Sequence, residues 1–344
     1  MNRKTIPPFP AGPRGGNVIL VTGSSGLIGS ALATFLETRN FTVRRLDLRG
    51  TGDGFGDVRD RKKLAEAVTG ASGVVHLAAV SRVITGEQNP ALCRETNIGG
   101  VENLLDGVLR QPSAARPWVV FASSREIYGQ QEKLPVSEDA TPAPANVYAQ
   151  TKVDGERLVS AAGLRTAIVR FSNVYGSSID HADRVVPAFC RAAVTGKELR
   201  VDGAENTFDF THIDDVIRGI GAVVAQFVTG VTTLPPVHFV SGVPTTLGEL
   251  AAAAIRIARE FTGTNVNTGA AIRNAPPRAY DVARFYGNPA RAKTLLGWKA
   301  EVSLETGLRR LITDFHEQEN ILNEHENGNA NAAAGDLRKK GGAA

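Results

Sequence analysis

Cysteine is nearly absent, with only Cys93 and Cys190 among 344 residues. That count excludes a disulfide framework and fits reduced, buried thiols in a cytoplasmic protein. Long apolar runs are missing as well. No stretch approaches the ~18 residues of a membrane span, so no membrane association is expected. The basic start (MNRKTIPPFPAGPRGG) is broken by Pro and Gly where a secretory leader needs an apolar core. Nor is charge of one sign concentrated. The 39 Lys and Arg against 35 Asp and Glu leave a net charge of +4. It is scattered rather than gathered into a basic face with interleaved aromatics, which argues against a nucleic-acid partner. Six histidines show no ligand spacing, so no metal site is expected.

What is present is ordinary globular composition, 42% hydrophobic and 22% charged, in a chain long enough for about two domains. Residues 1–16, rich in Pro, Gly and Arg, and residues 319–344, rich in Asn, Ala and Gly, read as flexible tails with too little apolar surface to offset their ordering entropy. Between them, short β-branched runs alternate with helical patterns. Strands are predicted at Val18–Thr22, Thr42–Asp47, Gly73–Leu77, Trp118–Ala122, Thr166–Arg170 and Val237–Val240. Most are continuously apolar, as strands covered on both faces must be. Helices are predicted over Leu27–Thr38, Asp60–Val68, Ala91–Arg110 and Val147–Ala162. This alternation means a doubly wound parallel α/β sheet, Rossmann-like, with right-handed crossovers. After Gly176 the rhythm loosens, with helices at Val185–Thr195, Asp214–Phe227, from Thr246 onward, Pro289–Leu296 and Leu304–Gln318. The expected division is a nucleotide-binding domain of residues 17–176 plus 208–242, interleaved with a smaller α/β domain of 177–207 plus 243–318.

The first strand runs directly into Thr22-Gly23-Ser24-Ser25-Gly26-Leu27-Ile28-Gly29, where a helix opens. Glycines there allow a tight turn and a close backbone approach to a pyrophosphate, which the helix N-terminus favours electrostatically. The spacing is G-x-x-G-x-x-G rather than the standard G-x-G-x-x-G. Asp47 ends the second strand 18 residues past Gly29, close to the ~20 expected for the acid that binds an adenosine ribose diol. A carboxylate there repels a 2′-phosphate and favours NAD over NADP, although Arg44, Arg45 and Arg49 lie nearby. Further on, Tyr148 and Lys152 fall four residues apart on one helical face. An ammonium beside a phenol stabilises phenolate and lowers its pKa from ~10. Tyr148 can then remove a hydroxyl proton while the carbon beneath gives hydride to NAD. Ser124, at the carboxyl end of the fourth strand, is placed to hydrogen-bond the reacting oxygen.

These motifs together resemble the extended short-chain dehydrogenase/reductase family, in its NAD-dependent nucleotide-sugar epimerase and dehydratase branch. The resemblance runs from about Asn17 to Gln318. Its marks are Thr22–Gly29, Gly56-Asp57-Val58, Val75-His76-Leu77-Ala78-Ala79, Asn97, Ser123 to Gly129, Tyr148 with Lys152, Arg170 to Gly176, Asp209–Asp215 and Leu296-Gly297-Trp298. It implies cofactor contacts from Gly23, Ser25, Gly26, Leu27, Ile28, Asp47, Asp57, Val58 (the last two at the adenine), Leu77, Ala78, Ala79, Asn97, Tyr148 and Lys152. Substrate contacts are implied for Ser81, Ser124, Arg125, Glu126, Asn173, Arg278 and Asp281, with Arg278 and Asn173 at a sugar-nucleotide diphosphate. Catalysis is expected from Ser124, Tyr148 and Lys152, and a homodimer is implied.

Two positions depart from the pattern. Phe208 stands where the family usually has a second phosphate-binding arginine. Arg125-Glu126 stands where sugar 4,6-dehydratases have Asp-Glu, and a cation cannot protonate a leaving hydroxyl, which disfavours dehydration. The expected function is NAD-dependent epimerisation of a nucleotide-diphosphate sugar, at C4, through a transient keto sugar. The alternatives are net oxidation or reduction of such a sugar or another carbonyl compound with exchangeable NAD(P), behind it dehydration, and a catalytically silent NAD sensor.

Overall fold

The structure, a computed structural model, describes residues 17–262, 270–278 and 282–321. Among them lie eleven strands: β1 Val18–Thr22, β2 Thr42–Leu46, β3 Gly73–His76, β4 Trp118–Ser124, β5 Thr166–Phe171, β6 Asn173–Tyr175, β7 Leu199–Asp202, β8 Thr207–His212, β9 Val237–Phe239, β10 Pro244–Thr246 and β11 Ile272–Ala275. The helices are α1 Leu27–Glu37, α2 Arg61–Val68, α3 Val83–Gln88, α4 Pro90–Arg94, α5 Gly100–Leu109, α6 Val147–Ala161, α7 Val185–Thr195, α8 Ile213–Val228, α9 Leu247–Thr262 and α10 Ala290–Leu296, followed by α11 over 304–321.

Six strands form one wholly parallel sheet in the order β2-β1-β3-β4-β5-β9. The order reverses direction between β1 and β3, the switch point at which open α/β sheets bind ligands. Because side chains alternate across a strand, neighbouring residues feed opposite layers. Ile19, Val21, Val75 and Val120 pack with Leu32 and Leu36 of α1 and Val216, Ile220 and Val223 of α8. Leu20, Val74 and Val119 pack with Leu64 and Val68 of α2 and Leu104 and Val108 of α5 on the other face. Both faces are dry, so the strands read as unbroken apolar runs.

A second core gathers Phe189 and Cys190 of α7, Leu250 and Ile257 of α9, and Leu308 and Ile312 of α11 around Leu199, Val201, Phe208 and Phe210. Two small sheets belong to this region, β10-β8-β6 and β11-β7. The chain crosses into it after β5 and returns to the main sheet at β9. Among the described residues no helix is long and apolar enough to cross a membrane.

Several expectations need correction. The strand expected to reach Asp47 closes at Leu46, and Asp47 makes only an isolated bridge to Phe55. The single helix expected over Ala91–Arg110 is interrupted by a π-helical turn at Glu95–Gly99, between α4 and α5. Within that turn Thr96 and Asn97 are buried, and Asn97 bonds across to Val80. The final helix continues through 319–321, residues expected in the tail, while 1–16 and 322–344 lie outside the described residues.

Candidate active site

A cavity of about 680 Å³ opens over the carboxyl ends of β1–β5, within the ~300–1,000 Å³ range of ligand sites. Its floor at one end is the β1–α1 turn. Gly23 adopts φ +69°, and a Cβ there would stand 2.7 Å from the Ala78 nitrogen. A Cβ on Gly29 would lie 2.1 Å from the Gly23 carbonyl oxygen. Only glycine lets the turn nestle between β3 and α1. The first bond within α1 runs from the Ser30 N–H to the Gly26 carbonyl, and no side chain caps the helix. The N–H groups of Leu27, Ile28 and Gly29 are therefore left over by the helix. All three residues line the cavity. That donor set, at a positive dipole end with no Cβ in the way, fits a pyrophosphate such as that of NAD.

Asp47 lies beside this turn. Its Oδ2 accepts the Ser25 N–H at 3.0 Å and its Oδ1 accepts the Arg49 N–H at 2.8 Å. An ionised carboxylate has about four acceptor positions, so room remains for two ribose hydroxyls. Of the three neighbouring arginines, Arg44 is spent on the carbonyls of Ala67 and Thr69, and Arg45 on Glu37. Only the Arg49 guanidinium approaches Asp47, at 3.5 Å. Farther along, Asp57 and Val58 line the cavity. Hydrogen bonds from Arg59 hold the Asp57 carboxyl below its usual range.

Leu77, Ala78 and Ala79 follow β3 along the cavity wall. Two other expected cofactor residues make their polar contacts within the chain. Ser25 gives its N–H to Asp47 and is not among the lining residues. Asn97 spends its amide internally. Its Oδ1 accepts the Val80 N–H at 2.7 Å, and its Nδ2 donates to the Val80 carbonyl and to Thr151 Oγ1. It ties the β3 loop to α6 and positions rather than lines.

The centre of the cavity holds Ser124, Tyr148 and Lys152 together. Ser124, last in β4, accepts the Glu126 N–H at 3.2 Å and lines the cavity together with Tyr148. Asn146 caps α6 through the Ala149 N–H at 2.8 Å. Tyr148 therefore falls in the first turn of the helix, with Lys152 one turn on. The Lys152 ammonium donates to the Ala122 carbonyl at 2.8 Å and stands 5.8 Å from the Tyr148 ring centre. Here the lowered phenol pKa expected from Lys152 is not met by the chain's own residues. Burial pushes Tyr148 up to about 12, against the opposing effects of the Ser124 hydroxyl and the Arg184 charge. Burial also draws Lys152 down to about 8. Desolvation dominates both groups.

On the far side, Ser81 accepts from Arg184 at 3.3 Å, and Asn173 opens β6. Arg278 lines the cavity with its Nε 4.0 Å from Asp202. Asp281 lies outside the described residues. Sequence reasoning missed Asp180, Arg184 and the Arg82–Asp183 ion pair, all lining the same cavity. Asp180 pairs with Arg184 only four residues on, but Arg184–Ser81 and Arg82–Asp183 join positions 103 and 101 apart, and no local signal marks them.

A family model for the NAD dependent epimerase/dehydratase family matches residues 19–234. The chain belongs to that family. Within it, UDP-glucuronate 4-epimerase 1 of Arabidopsis thaliana is 30% identical over 334 residues, covering 87% of this chain and 76% of the plant protein. Among solved structures, MoeE5 in complex with UDP-glucose and NAD is 26% identical with a TM-score of 0.76, covering 88% of this family member and 99% of MoeE5. The UDP-glucose 4-epimerase from Brucella ovis in complex with NAD gives the same identity, TM-score and coverage.

Proposed function

We propose that this epimerase/dehydratase-family member is an NAD-dependent nucleotide-diphosphate-sugar 4-epimerase. The observation that carries the reading is the meeting of Ser124, Tyr148 and Lys152 at the end of β4, in one cavity with the glycine turn on one side and Arg278 on the other. Of the expected division, 17–172 and 213–242 would hold the cofactor, while β6 and β8 join 177–207 and 243–318 in the region that would hold the sugar nucleotide. Relatives named as 4-epimerases of UDP-glucuronate and UDP-glucose support the substrate class.

Held by the Gly23–Gly29 turn and Asp47, NAD would supply reversible hydride acceptance at sugar C4, so that the configuration there can invert. The chain's residues manage the proton and the geometry. Tyr148 accepts the proton from the C4 oxygen while Ser124 steadies that oxygen by hydrogen bonding. A phenol held at about 12 by burial keeps its own proton at neutral pH. The Lys152 ammonium, 5.8 Å from the ring centre, with the positive charge that an oxidised nicotinamide would add, would favour the phenolate that proton removal requires. On the return step Tyr148 gives the proton back, so no net redox change occurs. The exclusion of water by the buried site protects the keto sugar.

We further propose a homodimer, on the family resemblance, and a cytoplasmic location, on the two unpaired buried cysteines. Size-exclusion chromatography with light scattering checks the first. The test of the activity is to denature the purified protein, quantify released NAD, and assay the native protein with UDP-, dTDP- and GDP-sugars. Stoichiometric NAD and an epimeric product, without change in NADH absorbance, is the expected outcome. Net NADH formation or consumption would make the protein a dehydrogenase or reductase.

A further inference from the structure

The two positions at which the sequence departs from its family touch one another. The Arg125 guanidinium stands 4.6 Å from the Phe208 ring centre and 5.6 Å from that of Phe285, and Arg125 and Phe208 line the cavity. Arginine at 208 would have set two cations in stacking contact. Phenylalanine instead gives the guanidinium a ring face to lie on. Loss of one charge and gain of the other are thus a single local arrangement.

Arg125 is only partly satisfied. Its Nη2 pairs with Glu126 at 2.9 Å, whereas Nη1 is buried without a hydrogen-bond partner. Glu126 is shared, since its other oxygen accepts from Asn146 Nδ2 at 3.3 Å. A guanidinium presents a planar fork matched to a carboxylate, and a buried charged donor is costly to leave unmade. Arg125 directly follows Ser124, so an anion meeting it belongs to the sugar ring held at Ser124 and Tyr148. The diphosphate has a separate cation in Arg278, beside Asp202.

We propose that Arg125 reads a carboxylate on the sugar, so that the site takes nucleotide-diphosphate hexuronates in preference to neutral hexoses. This rests on the sugar-nucleotide reading above. The hydroxymethyl group of a neutral hexose supplies one acceptor atom and no charge. An ionised carboxylate supplies both, and Phe208 and Phe285 hold the guanidinium in place to receive it.

The experiment is calorimetric titration of NAD-loaded Tyr148→Phe protein, in which turnover cannot blur binding, with UDP-glucuronate and with UDP-glucose. The expected result is tighter binding of UDP-glucuronate by about tenfold or more, the range for a charge-assisted hydrogen bond. Adding Arg125→Met should bring the ratio near one. Adding Arg125→Lys, which keeps charge but not the fork, should retain part of the preference and serves if the Met variant fails to fold, with NAD content as the check on folding. Equal affinity for the two sugars before Arg125 is touched would overturn the proposal and leave the epimerase reading standing. So would a ratio that Arg125→Met does not change. Binding of neither of these, nor of their dTDP and GDP counterparts, would remove the sugar-nucleotide reading, and this proposal with it.

Discussion

Replacing Gly29 by alanine tests whether the first turn of α1 is the cofactor cradle. The added Cβ would stand 2.1 Å from the Gly23 carbonyl oxygen and 2.8 Å from both the Gly23 carbonyl carbon and the Ser24 Cα. Ordinary carbon contacts lie at ~3.5–4.0 Å, so the turn and the helix must part by about an ångström. The Gly23 peptide cannot retreat, because it already presses on the Ala78 backbone, where its own Cβ would come within 2.7 Å. Overpacking of this kind costs about 1–3 kcal/mol. Displaced N–H groups of Leu27, Ile28 and Gly29 would also lose the pyrophosphate, and each ~1.4 kcal/mol is tenfold in affinity. Purified Gly29→Ala protein should therefore release at most about a tenth of the NAD that wild type releases on denaturation, and melt several degrees lower. The control is Gly99→Ala, where nothing lies within 4 Å of the new methyl and wild-type NAD content is expected. Full NAD content and full activity in Gly29→Ala would refute the cradle.

Other predictions concern the proton machinery and its support. Tyr148→Phe should abolish turnover and leave NAD content unchanged; residual epimerisation near wild type would sink the proposed base. Lys152 is drawn down to about 8 by burial from its ordinary 10.5, so the unfolded chain binds more protons between those values. Below about 8 the folded chain bears the full cost of the buried charge, and stability recovers as pH rises through that window. Lys152→Met should accordingly lose activity yet be more stable than wild type at neutral pH, with the gain fading toward pH 10; a loss of stability at neutral pH, read by chemical denaturation, would contradict this. Glu156 pairs with the buried Arg170 at 2.6 Å and 2.8 Å. Glu156→Gln leaves that guanidinium without its counter-charge and should cost about 3–5 kcal/mol in urea unfolding. A loss below about 1 kcal/mol would mean the remaining bonds of Arg170, to Tyr128 and the Glu138 carbonyl, are enough.

The main sheet was legible because its strands are buried on both faces and therefore apolar throughout. Ile19, Leu20 and Val21 need no alternation when each side meets a helix. The shorter strands of the second region, such as Asn173–Tyr175 and Pro244–Thr246, gave no such run. Three-residue strands are made by their partners, not by their own composition. The glycine turn, Asp47 and the Tyr148–Lys152 pair could be found since each is a local spacing tied to a strand end or helix. The role of Asn97 could not, because its amide answers to Val80 and Thr151, which are 17 and 54 residues away. Equally invisible was the contact between Arg125 and Phe208. Each looked like a separate departure until folding placed one on the other.

The return of the chain to β9 has a consequence for biosynthesis. Val169, Arg170 and Phe171 on β5 pair with Val237, His238 and Phe239, and Val237 comes 66 positions after Phe171. At roughly 5–20 residues per second, a ribosome needs about 3–13 seconds to make that stretch. Throughout that interval a nascent chain that has already assembled β1 to β5 presents β5 as a bare edge bearing Val169 and Phe171, a template for pairing with another chain. The face beneath also awaits Val216, Ile220 and Val223 of α8. Chains truncated before Val237 are thus the ones expected to aggregate, and a cell making this enzyme depends on whatever shields that edge until β9 emerges.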